Sequence, residues 1–244
     1  MSESIYKRVL LKLGGESLVA EEGDFGLDQN ALKNITEEIR AAKDLGVEIA
    51  IVIGGGNILR GASLSSIGIE RTTGDYMGML ATVINALALQ AALEQAGIAT
   101  RVQTAIEIQA VAEAYVRRRA VRHLEKGRVV IFAGGTGNPY FSTDTAAALR
   151  AIEINADVII KGTKVDGIYS DDPENNPDAI KYDSISFKEV IEKELRVMDL
   201  TAITLCKENN LPIVVFDISK KDSLFNIFNN HKEGTIISNG DIKW

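Results

Sequence analysis

The sequence of 244 residues predicts an α/β fold, a three-layer αβα sandwich with a mostly parallel central sheet. Short apolar runs alternate along the chain with longer segments whose apolar residues recur every three or four positions, as in amphipathic helices. Several apolar runs also lead directly into glycines, as strands do at the ligand-binding edge of a parallel sheet. We therefore expect one domain, 1–244, in which strands and helices alternate.

In the first half of the chain, apolar runs predict strands at 9–13, 47–53, 98–103 and 129–132. Asp28 is a suitable N-cap for a helix that ends at Gly46. A long helix rich in Ala and Leu begins at 72–75 and ends at Gly97, and it belongs either to the core or, as we favour, to a subunit interface. The basic segment 115–126 predicts a helix whose arginines form a solvated face, with anion contact as the alternative.

The second half opens with a glycine-rich stretch, 133–145, in which Asp144 could act as a simple N-cap of a helix at 146–154. The acidic segment 170–183 contains two prolines and predicts a surface loop. Further helices are predicted after Asp199 and at 223–230. The remaining strands are predicted at 157–160, 213–218 and 234–237. The end of the 146–154 helix would divide two approximate lobes, 1–155 and 156–244.

Composition and charge argue against several classes of protein. The chain has 27 basic and 34 acidic residues and a net charge of −7, so we expect no nucleic-acid partner and no anionic membrane surface. Its one cysteine, Cys206, excludes an intrachain disulfide and suits a reducing cytoplasm. We expect no signal peptide and no segment that could span a bilayer, hence a cytoplasmic protein. His123 and His231 have no neighbouring cysteine, which argues against a zinc site.

Cations accompany the glycines at the predicted strand ends. Lys12 lies inside an apolar run just before two glycines, and a lysine there is costly unless its ammonium reaches a site or a partner. Arg60 follows the glycines at 54–56, and Lys161 and Lys164 flank Gly162. Glycine turns expose N–H groups that bind anions, so the pattern predicts a site for more than one phosphate group.

Five motifs, in order along nearly the whole chain, resemble those of the bacterial uridylate kinases of the amino-acid-kinase superfamily. They are KLGGESL from Lys12, GGGNILRG from Gly54, GDYMGML from Gly74, GTGNPYFSTD from Gly135 and KGTKVDGIYSDDP from Lys161. The resemblance implies an amino-acid-kinase-like fold and transfer of the γ-phosphoryl group of ATP to UMP, in pyrimidine nucleotide biosynthesis. It also implies Mg²⁺ carried by ATP, a homohexamer, activation by GTP and inhibition by UTP.

The same resemblance implies roles for individual residues, with 1–155 as the UMP lobe and 156–244 as the ATP lobe. The implied catalytic residues are Lys12, Arg60 and Asp144, the last as an orienting group rather than a base. The implied ATP-binding residues are Lys12, Gly14, Gly15, Gly56, Arg60, Thr163, Tyr169 and Asp172. The implied UMP-binding residues are Gly55, Asp75, Thr136, Gly137, Asn138, Pro139, Tyr140, Phe141, Ser142 and Thr143. No metal ligand from the protein is implied.

One departure from the family's motifs concerns Gly14, which stands where these kinases usually have serine. Its backbone N–H can still bind phosphate, so we expect function to survive. Two other functions remain open. A carbamate or acetylglutamate kinase would share the fold but need a different acceptor loop at 135–139. A non-catalytic nucleotide sensor on the same scaffold would be expected to lose Lys12 or Asp144, and both are present.

Overall fold

A computed structural model describes residues 4–20, 25–59, 68–171, 173, 176, 178–229 and 231–240, and it confirms the predicted α/β architecture. Within these ranges nine strands form one sheet in the order β4-β3-β5-β2-β1-β6-β10-β11-β9, and only the β10–β11 pair among them is antiparallel. These strands are β1 (Arg8–Leu13), β2 (Glu48–Ile53), β3 (Thr100–Thr104), β4 (Glu113–Ala114), β5 (Val129–Ala133), β6 (Val158–Thr163), β9 (Ser184–Ser186), β10 (Ile213–Asp217) and β11 (Thr235–Ser238). A separate hairpin pairs β7 (Ile168–Tyr169) with β8 (Lys181–Tyr182).

Helices cover both faces of the sheet. They are α1 (Gln29–Asp44), α2 (Arg71–Gln95), α3 (Arg117–Glu125), α4 (Thr143–Glu153), α5 (Phe187–Glu192), α6 (Leu200–Glu208) and α7 (Ser223–Phe228), and a short 3₁₀ helix spans Gly15–Leu18. Alternate residues of β1 point into two separate cores: Leu11 packs with α1, α2 and α7, whereas Leu10 packs with α3, α4, α5 and α6. This period of two, with helices on either side, produces the three layers.

The predicted helix starts agree with the structure where a cap is visible in the sequence. The carboxylates of Asp28 and Asp199 accept hydrogen bonds from the N–H groups of Ala31 and Ala202, which caps α1 and α6. The prediction for α4 was wrong by three residues. Its N-cap is Ser142, which leaves Asp144 inside the first turn rather than at the cap.

Short elements in the C-terminal half were not predicted. The segment 170–183, predicted as a loop, ends in β8, and β9 and α5 follow it directly. Two-residue strands such as β7 and β8 have no periodicity of their own, because their pairing with each other defines them. The capping box of α5, in which Ser186 and Glu189 satisfy each other's backbone N–H groups, is a sequence signal that the prediction overlooked.

Helix α2 is long and apolar enough to cross a membrane by length and composition alone, contrary to the expectation of no such segment. A helix within a protein core meets the same criteria, so the finding is weak evidence for membrane insertion. In this fold Val83, Ala86 and Leu89 of α2 are buried in the core that it shares with the sheet and α1. The opposite face of α2 exposes apolar side chains.

Candidate active site

The carboxyl ends of β1, β2, β5 and β6 meet at one edge of the sheet, where two glycine turns come into contact. A Cβ atom at Gly15 would lie 2.6 Å from the backbone N of Gly56, and one at Gly54 would lie 2.9 Å from the backbone N of Gly15. Both approaches are too close for any side chain, so only glycine allows the two turns to pack. This packing concentrates backbone N–H groups at the edge where phosphate groups are expected.

The register of the sheet places two lysines side by side at this edge. Lys12 of β1 is directly paired with Lys161 of β6. Asp144, in the first turn of α4, separates their charges: Lys12 Nζ lies 2.7 Å from Oδ1 and Lys161 Nζ lies 3.1 Å from Oδ2. The lysine that the sequence placed in an apolar run therefore has its partner in Asp144.

The three side chains of this cluster are shielded from water, with exposed fractions of 9%, 15% and 14% for Lys12, Asp144 and Lys161. Burial alone would raise the pKa of Asp144, but the charges of Lys12 and Lys161 more than offset it, so the pKa lies below its usual range. Burial, together with the charge of Lys12, lowers the pKa of Lys161 despite the opposing effect of Asp144. Asp144 is thus held as a carboxylate whose oxygens are both engaged by ammonium groups.

A cavity of about 690 Å³ lies next to this cluster and is lined almost entirely by residues of the C-terminal half of the chain. Lys161 and Thr163 at the end of β6 line it together with Tyr169 of the β7–β8 hairpin, and Glu16 lies in its wall. The Tyr169 hydroxyl donates a 2.7 Å hydrogen bond to the carboxylate of Asp166. The same carboxylate pairs with the ammonium groups of Lys181 at 3.0 Å and Lys220 at 3.4 Å. Other lining residues, which the sequence analysis did not propose, are Val165, Gly167, Ile168, Ser170, Asp171, Pro173, Lys193, Glu194, Leu195, Arg196, Val197 and Val215.

A second cavity, of about 370 Å³, lies on the other side of the cluster between α2 and the first turn of α4. Its lining residues are Gly55, Gly56, Leu59, Gly74, Asp75, Gly78, Met79, Thr82, Gly135, Thr136, Phe141, Ser142 and Thr143. Thr143 lines this cavity and the adjacent Asp144 contacts Lys161, which lines the larger one. The ion-pair cluster therefore stands between two cavities of different size.

The predicted site residues are distributed over this edge as follows. Of the residues proposed to bind ATP, Thr163 and Tyr169 line the larger cavity, whereas Gly56 lines the smaller one. Of those proposed to bind UMP, the lining residues of the smaller cavity are Gly55, Asp75, Thr136, Phe141, Ser142 and Thr143. In the proposed acceptor loop, taken from here on as 136–143, the residues outside that lining are Gly137, Asn138, Pro139 and Tyr140. Arg60 and Asp172 lie outside the described part of the chain.

The carboxylate of Glu16 fills the space that a side chain at position 14 would need. A Cβ atom at Gly14 would collide with the carboxylate of Glu16, which folds back over the glycine. The missing side chain at position 14 thus provides the space for this carboxylate at the edge of the larger cavity. Glu16 also acts electrostatically on Lys161, whose pKa it raises against the larger effect of burial.

The acceptor loop is held to α2 through its backbone. Tyr140 has a φ of 72°, a left-handed conformation that is uncommon for an aromatic residue, and its N–H donates a 2.7 Å hydrogen bond to Asp75. The guanidinium of Arg71 lies 4.9 Å from the centre of the Tyr140 ring. Asp75 therefore positions the loop and also lines the smaller cavity.

Two buried polar residues of α2, neither of them predicted from the sequence, hold the turns at Gly54 and Gly134. The amide of Asn85 donates to the carbonyl of Gly54 at 2.7 Å and exchanges hydrogen bonds with Asn57. Thr82 accepts a 2.8 Å hydrogen bond from the N–H of Gly134. Polar residues in a helix this apolar are a signal that could have identified them, because a buried polar group requires a partner.

Comparison with known proteins identifies the relatives of this fold. Residues 7–217 match the amino acid kinase family. A UMP kinase from Bacillus anthracis shares 40% identity over 98% of both chains with a TM-score of 0.94, and one from Ureaplasma parvum shares 36% over 98% of this chain and 100% of that one, with a TM-score of 0.90. A uridylate kinase from Archaeoglobus fulgidus shares 28% over 94% of this chain and 99% of that one, with a TM-score of 0.72. The chain therefore belongs to the amino acid kinase family, within its group of UMP kinases.

Proposed function

We propose that this chain is a UMP kinase, which transfers the γ-phosphoryl group of ATP to UMP and forms UDP and ADP for pyrimidine nucleotide biosynthesis. The observation that carries the proposal is the Lys12–Asp144–Lys161 cluster, because it stands between two cavities at a glycine-lined edge. The similarity to UMP kinases over nearly the full chain supports the same acceptor.

The larger cavity is the proposed ATP site and the smaller one the proposed UMP site, in the lobes 156–244 and 1–155. The base and ribose of ATP would lie near Thr163 and Tyr169, with Asp172 contributing from outside the described residues. The triphosphate would extend over Gly14, Gly15 and Gly56 towards Lys12. The proposed UMP contacts are Gly55, Asp75 and the acceptor loop Thr136, Gly137, Asn138, Pro139, Tyr140, Phe141, Ser142 and Thr143.

In the proposed reaction, an oxygen of the UMP phosphate attacks the γ-phosphorus while the bond to the β-phosphate oxygen of ADP breaks. The acceptor phosphate has a second pKa of about 6, so it is largely ionised at neutral pH and needs no base. The obstacle is repulsion between two polyanions, which cations and backbone N–H groups can offset. Lys12, Lys161 and Arg60 supply that charge in this proposal.

Asp144 fits an orienting role better than a base in this scheme. Its two carboxylate oxygens each face an ammonium group, and its lowered pKa makes it a poor proton acceptor. By holding Lys12 and Lys161 apart, it would keep both ammonium groups directed at the transferring phosphoryl group. Such positioning is effective because the site needs no rearrangement at the moment of reaction.

Mg²⁺ is proposed to enter with ATP, and the residues of the site fit a metal carried by the nucleotide. Among the described residues no cluster of three or more His, Cys, Asp or Glu could form a metal cage. Asp144 is engaged by lysines, so Glu16 is the cavity carboxylate nearest to the glycine turn that could approach the ion. When bound, Mg²⁺ would neutralise phosphate charge and orient the phosphate oxygens.

On the basis of the same family relationship we also propose how the protein assembles, how it is regulated and where in the cell it acts. A homohexamer would bury the exposed apolar side chains of α2, namely Tyr76, Leu80 and Ile84. GTP is the proposed activator and UTP the proposed inhibitor. We propose a cytoplasmic enzyme, with ATP and UMP as its small-molecule partners and neither nucleic acid nor membrane among them.

The test is a coupled assay of ADP release from Mg²⁺–ATP, with UMP, CMP, dTMP, carbamate and acetylglutamate as separate acceptors, each with and without GTP. Activity confined to UMP supports the proposal, and the Lys12→Ala variant is the inactive control. Activity with carbamate or acetylglutamate in place of UMP would assign another kinase of the family. Nucleotide binding by calorimetry without turnover of any acceptor would instead favour a sensor.

A further inference from the structure

We infer that Asp199 is a positioning residue for the transfer reaction: from the C-terminal half of the chain, it fixes the first turn of α4, which contains Thr143 and Asp144. Asp199 is the N-cap of α6 and lies outside the residues that line either cavity. The inference rests on the proposed function, since it concerns the orientation of the same ion-pair cluster.

Asp199 makes contacts that a helix cap alone does not need. One carboxylate oxygen accepts the N–H of Ala202 at 2.9 Å, which is the capping bond. The hydroxyl of Thr145 donates to the same carboxylate, at 2.9 Å to Oδ1 and 3.1 Å to Oδ2. The hydroxyl of Ser142 also donates to it. Two hydroxyls from the start of α4 thus converge on one carboxylate at the start of α6.

The bond from Ser142 determines how α4 begins. Ser142 Oγ accepts the N–H groups of Asp144 at 3.0 Å and Thr145 at 3.2 Å, so its own hydrogen is available to Asp199. An acceptor at position 199 therefore orients the hydroxyl that caps α4. Asp144 is the second residue of that helix, and its carboxylate must reach both Lys12 and Lys161.

The segment that leads to Asp199 also contacts the cluster from the other side. The carbonyl of Val197 accepts a hydrogen bond from Lys161 Nζ. Leu195, Arg196 and Val197 line the larger cavity. One short stretch, 195–199, thus forms a wall of the proposed ATP site, holds Lys161 and holds the turn that carries Asp144. Asp199 connects this wall to the smaller cavity, which Ser142 and Thr143 line.

The chemistry requires an acceptor with two oxygens at position 199. In an Asp199→Asn variant, the amide oxygen can still accept the capping N–H of Ala202, because Asn is as good an N-cap as Asp. The amide nitrogen would then face the hydroxyl of Ser142 or Thr145. Both groups are hydrogen-bond donors in this arrangement, so the existing hydrogen bond would be lost. We expect the first turn of α4 to shift while α6 stays capped.

The experiment compares Asp199→Asn with wild type in steady-state assays with ATP and UMP, with thermal unfolding measured alongside. Because a shifted α4 turn would misplace Asp144 and the two lysines that it orients, we expect kcat/KM for UMP to fall about 10- to 100-fold. We expect the KM for ATP to change less than about twofold, because the carbonyl of Val197 is unaltered. A purely structural cap would lower the melting temperature without this separation of the two substrates.

Matched variants isolate the positioning effect. Asp28→Asn makes the same change at the N-cap of α1, where the carboxylate accepts the N–H of Ala31, and it should leave the kinetics unchanged. Thr145→Val removes one of the two hydroxyls and should reproduce much of the Asp199→Asn defect, whereas Thr145→Ser keeps the hydroxyl and most of the activity. The two single variants both disrupt the same contact, between Thr145 and Asp199. The double variant Asp199→Asn/Thr145→Val should therefore lose less activity than the product of the two single effects.

Three outcomes would overturn the inference. One is wild-type kinetics in Asp199→Asn, the second is an equal defect in Asp28→Asn, and the third is independent, multiplicative effects in the double variant. Wild-type protein that does not phosphorylate UMP would instead overturn the proposed function. In that case the position of the α4 turn can still be compared between wild type and Asp199→Asn by backbone NMR shifts of residues 142–145.

Discussion

At the scale of single residues, the site is defined by one carboxylate between two ammonium groups. Lys12 could be identified from the sequence because an apolar run contains it, and burial of a lone ammonium is unfavourable. Its neighbour Lys161 could not be ranked above Lys164 from spacing. The pairing of β1 with β6 sets Lys161 beside Lys12, whereas the side chain of Lys164 is exposed.

Replacement of Lys12 by alanine is expected to lower turnover at least 100-fold, because it removes a preorganised cation from the proposed phosphoryl-transfer site. Asp144 keeps Lys161 as its partner, so the protein should still fold cooperatively. The measurements are kcat from coupled ADP release and the melting temperature from circular dichroism. Lys33→Ala, which truncates an exposed lysine of α1, is the control. Turnover near the wild-type value in Lys12→Ala would contradict a role for this ammonium in transfer.

Asp166 should give the protein a measurable acid sensitivity. Although burial opposes it, hydrogen bonds from Tyr169 and Lys181 and the charge of Lys220 lower the pKa of Asp166 to about 2. A carboxyl with a lowered folded-state pKa stabilises the protein above its unfolded-state pKa of about 4, and this contribution is lost as the pH falls towards 2. With 30% of the side chain exposed, solvent screening leaves about 1 kcal/mol.

Urea unfolding between pH 2 and pH 7 measures this contribution directly. Asp166→Asn should lower the free energy of unfolding by about 1 kcal/mol at pH 7 and should converge with wild type near pH 2. Asp178→Asn, at an exposed position before β8, is the control and should follow the wild-type curve. A constant offset between Asp166→Asn and wild type at every pH would show that the carboxyl's ionisation is not the cause.

At the scale of secondary-structure elements, the sequence predicted those with a local signal and missed those defined by their partners. Asp28 and Asp199 predict where α1 and α6 begin, because each carboxylate caps the helix that follows it. The start of α4 was predicted too late because Asp144 resembles an N-cap. The actual N-cap, Ser142, donates its hydroxyl to Asp199, a residue 57 positions away. That acceptor, Asp199, becomes a neighbour only when the sheet has formed.

Helix α2 holds two turns through buried side chains, the turn at Gly54 through Asn85 and the turn at Gly134 through Thr82. Thr82→Val should remove the bond to the N–H of Gly134, leave that buried donor unpaired and destabilise the fold by about 1–3 kcal/mol. The KM for UMP should rise several-fold, because Thr82 also lines the smaller cavity. Chemical denaturation and steady-state kinetics measure the two effects.

Thr36→Val is the matched control for this change. Thr36 is also a buried helix threonine, but its hydroxyl donates to Leu32 O in its own helix, at 2.7 Å, rather than holding a separate turn. It should cost less stability and leave the KM for UMP unchanged. Equal effects of the two variants on that KM would mean that the turn at Gly134 does not depend on Thr82.

At the scale of the whole molecule, the fold and family were within reach of the sequence, but the two-cavity arrangement was not. Alternating apolar runs and glycines identify a parallel sheet with a phosphate-binding edge. They cannot show that four acceptor-loop residues, from Gly137 to Tyr140, fall outside the lining of the smaller cavity. In this loop the backbone of Tyr140 is left-handed and its N–H bonds to Asp75, 65 positions away, which no local pattern predicts.

The two sides of α2 differ in a way that would connect the proposed substrate sites to the proposed subunit interface. Asp75, Thr82 and Asn85 face the smaller cavity and the glycine turns. On the other side Tyr76, Leu80 and Ile84, four residues apart, are 45%, 47% and 50% exposed. An apolar stripe on a helix is typical of an interface with another subunit, so association through this face would place a second copy directly behind the proposed substrate sites.

The double variant Leu80→Glu/Ile84→Glu should therefore dissociate the protein, because burial of two carboxylates in an apolar interface is strongly unfavourable. Sedimentation velocity at micromolar concentration should show a smaller species than wild type, and kcat should fall as α2 loses its support. Ile180→Glu, at another exposed apolar position, controls for the introduced charge and should sediment as wild type. If the double variant retains the wild-type sedimentation coefficient, this face of α2 is not the interface, and assembly must use another surface.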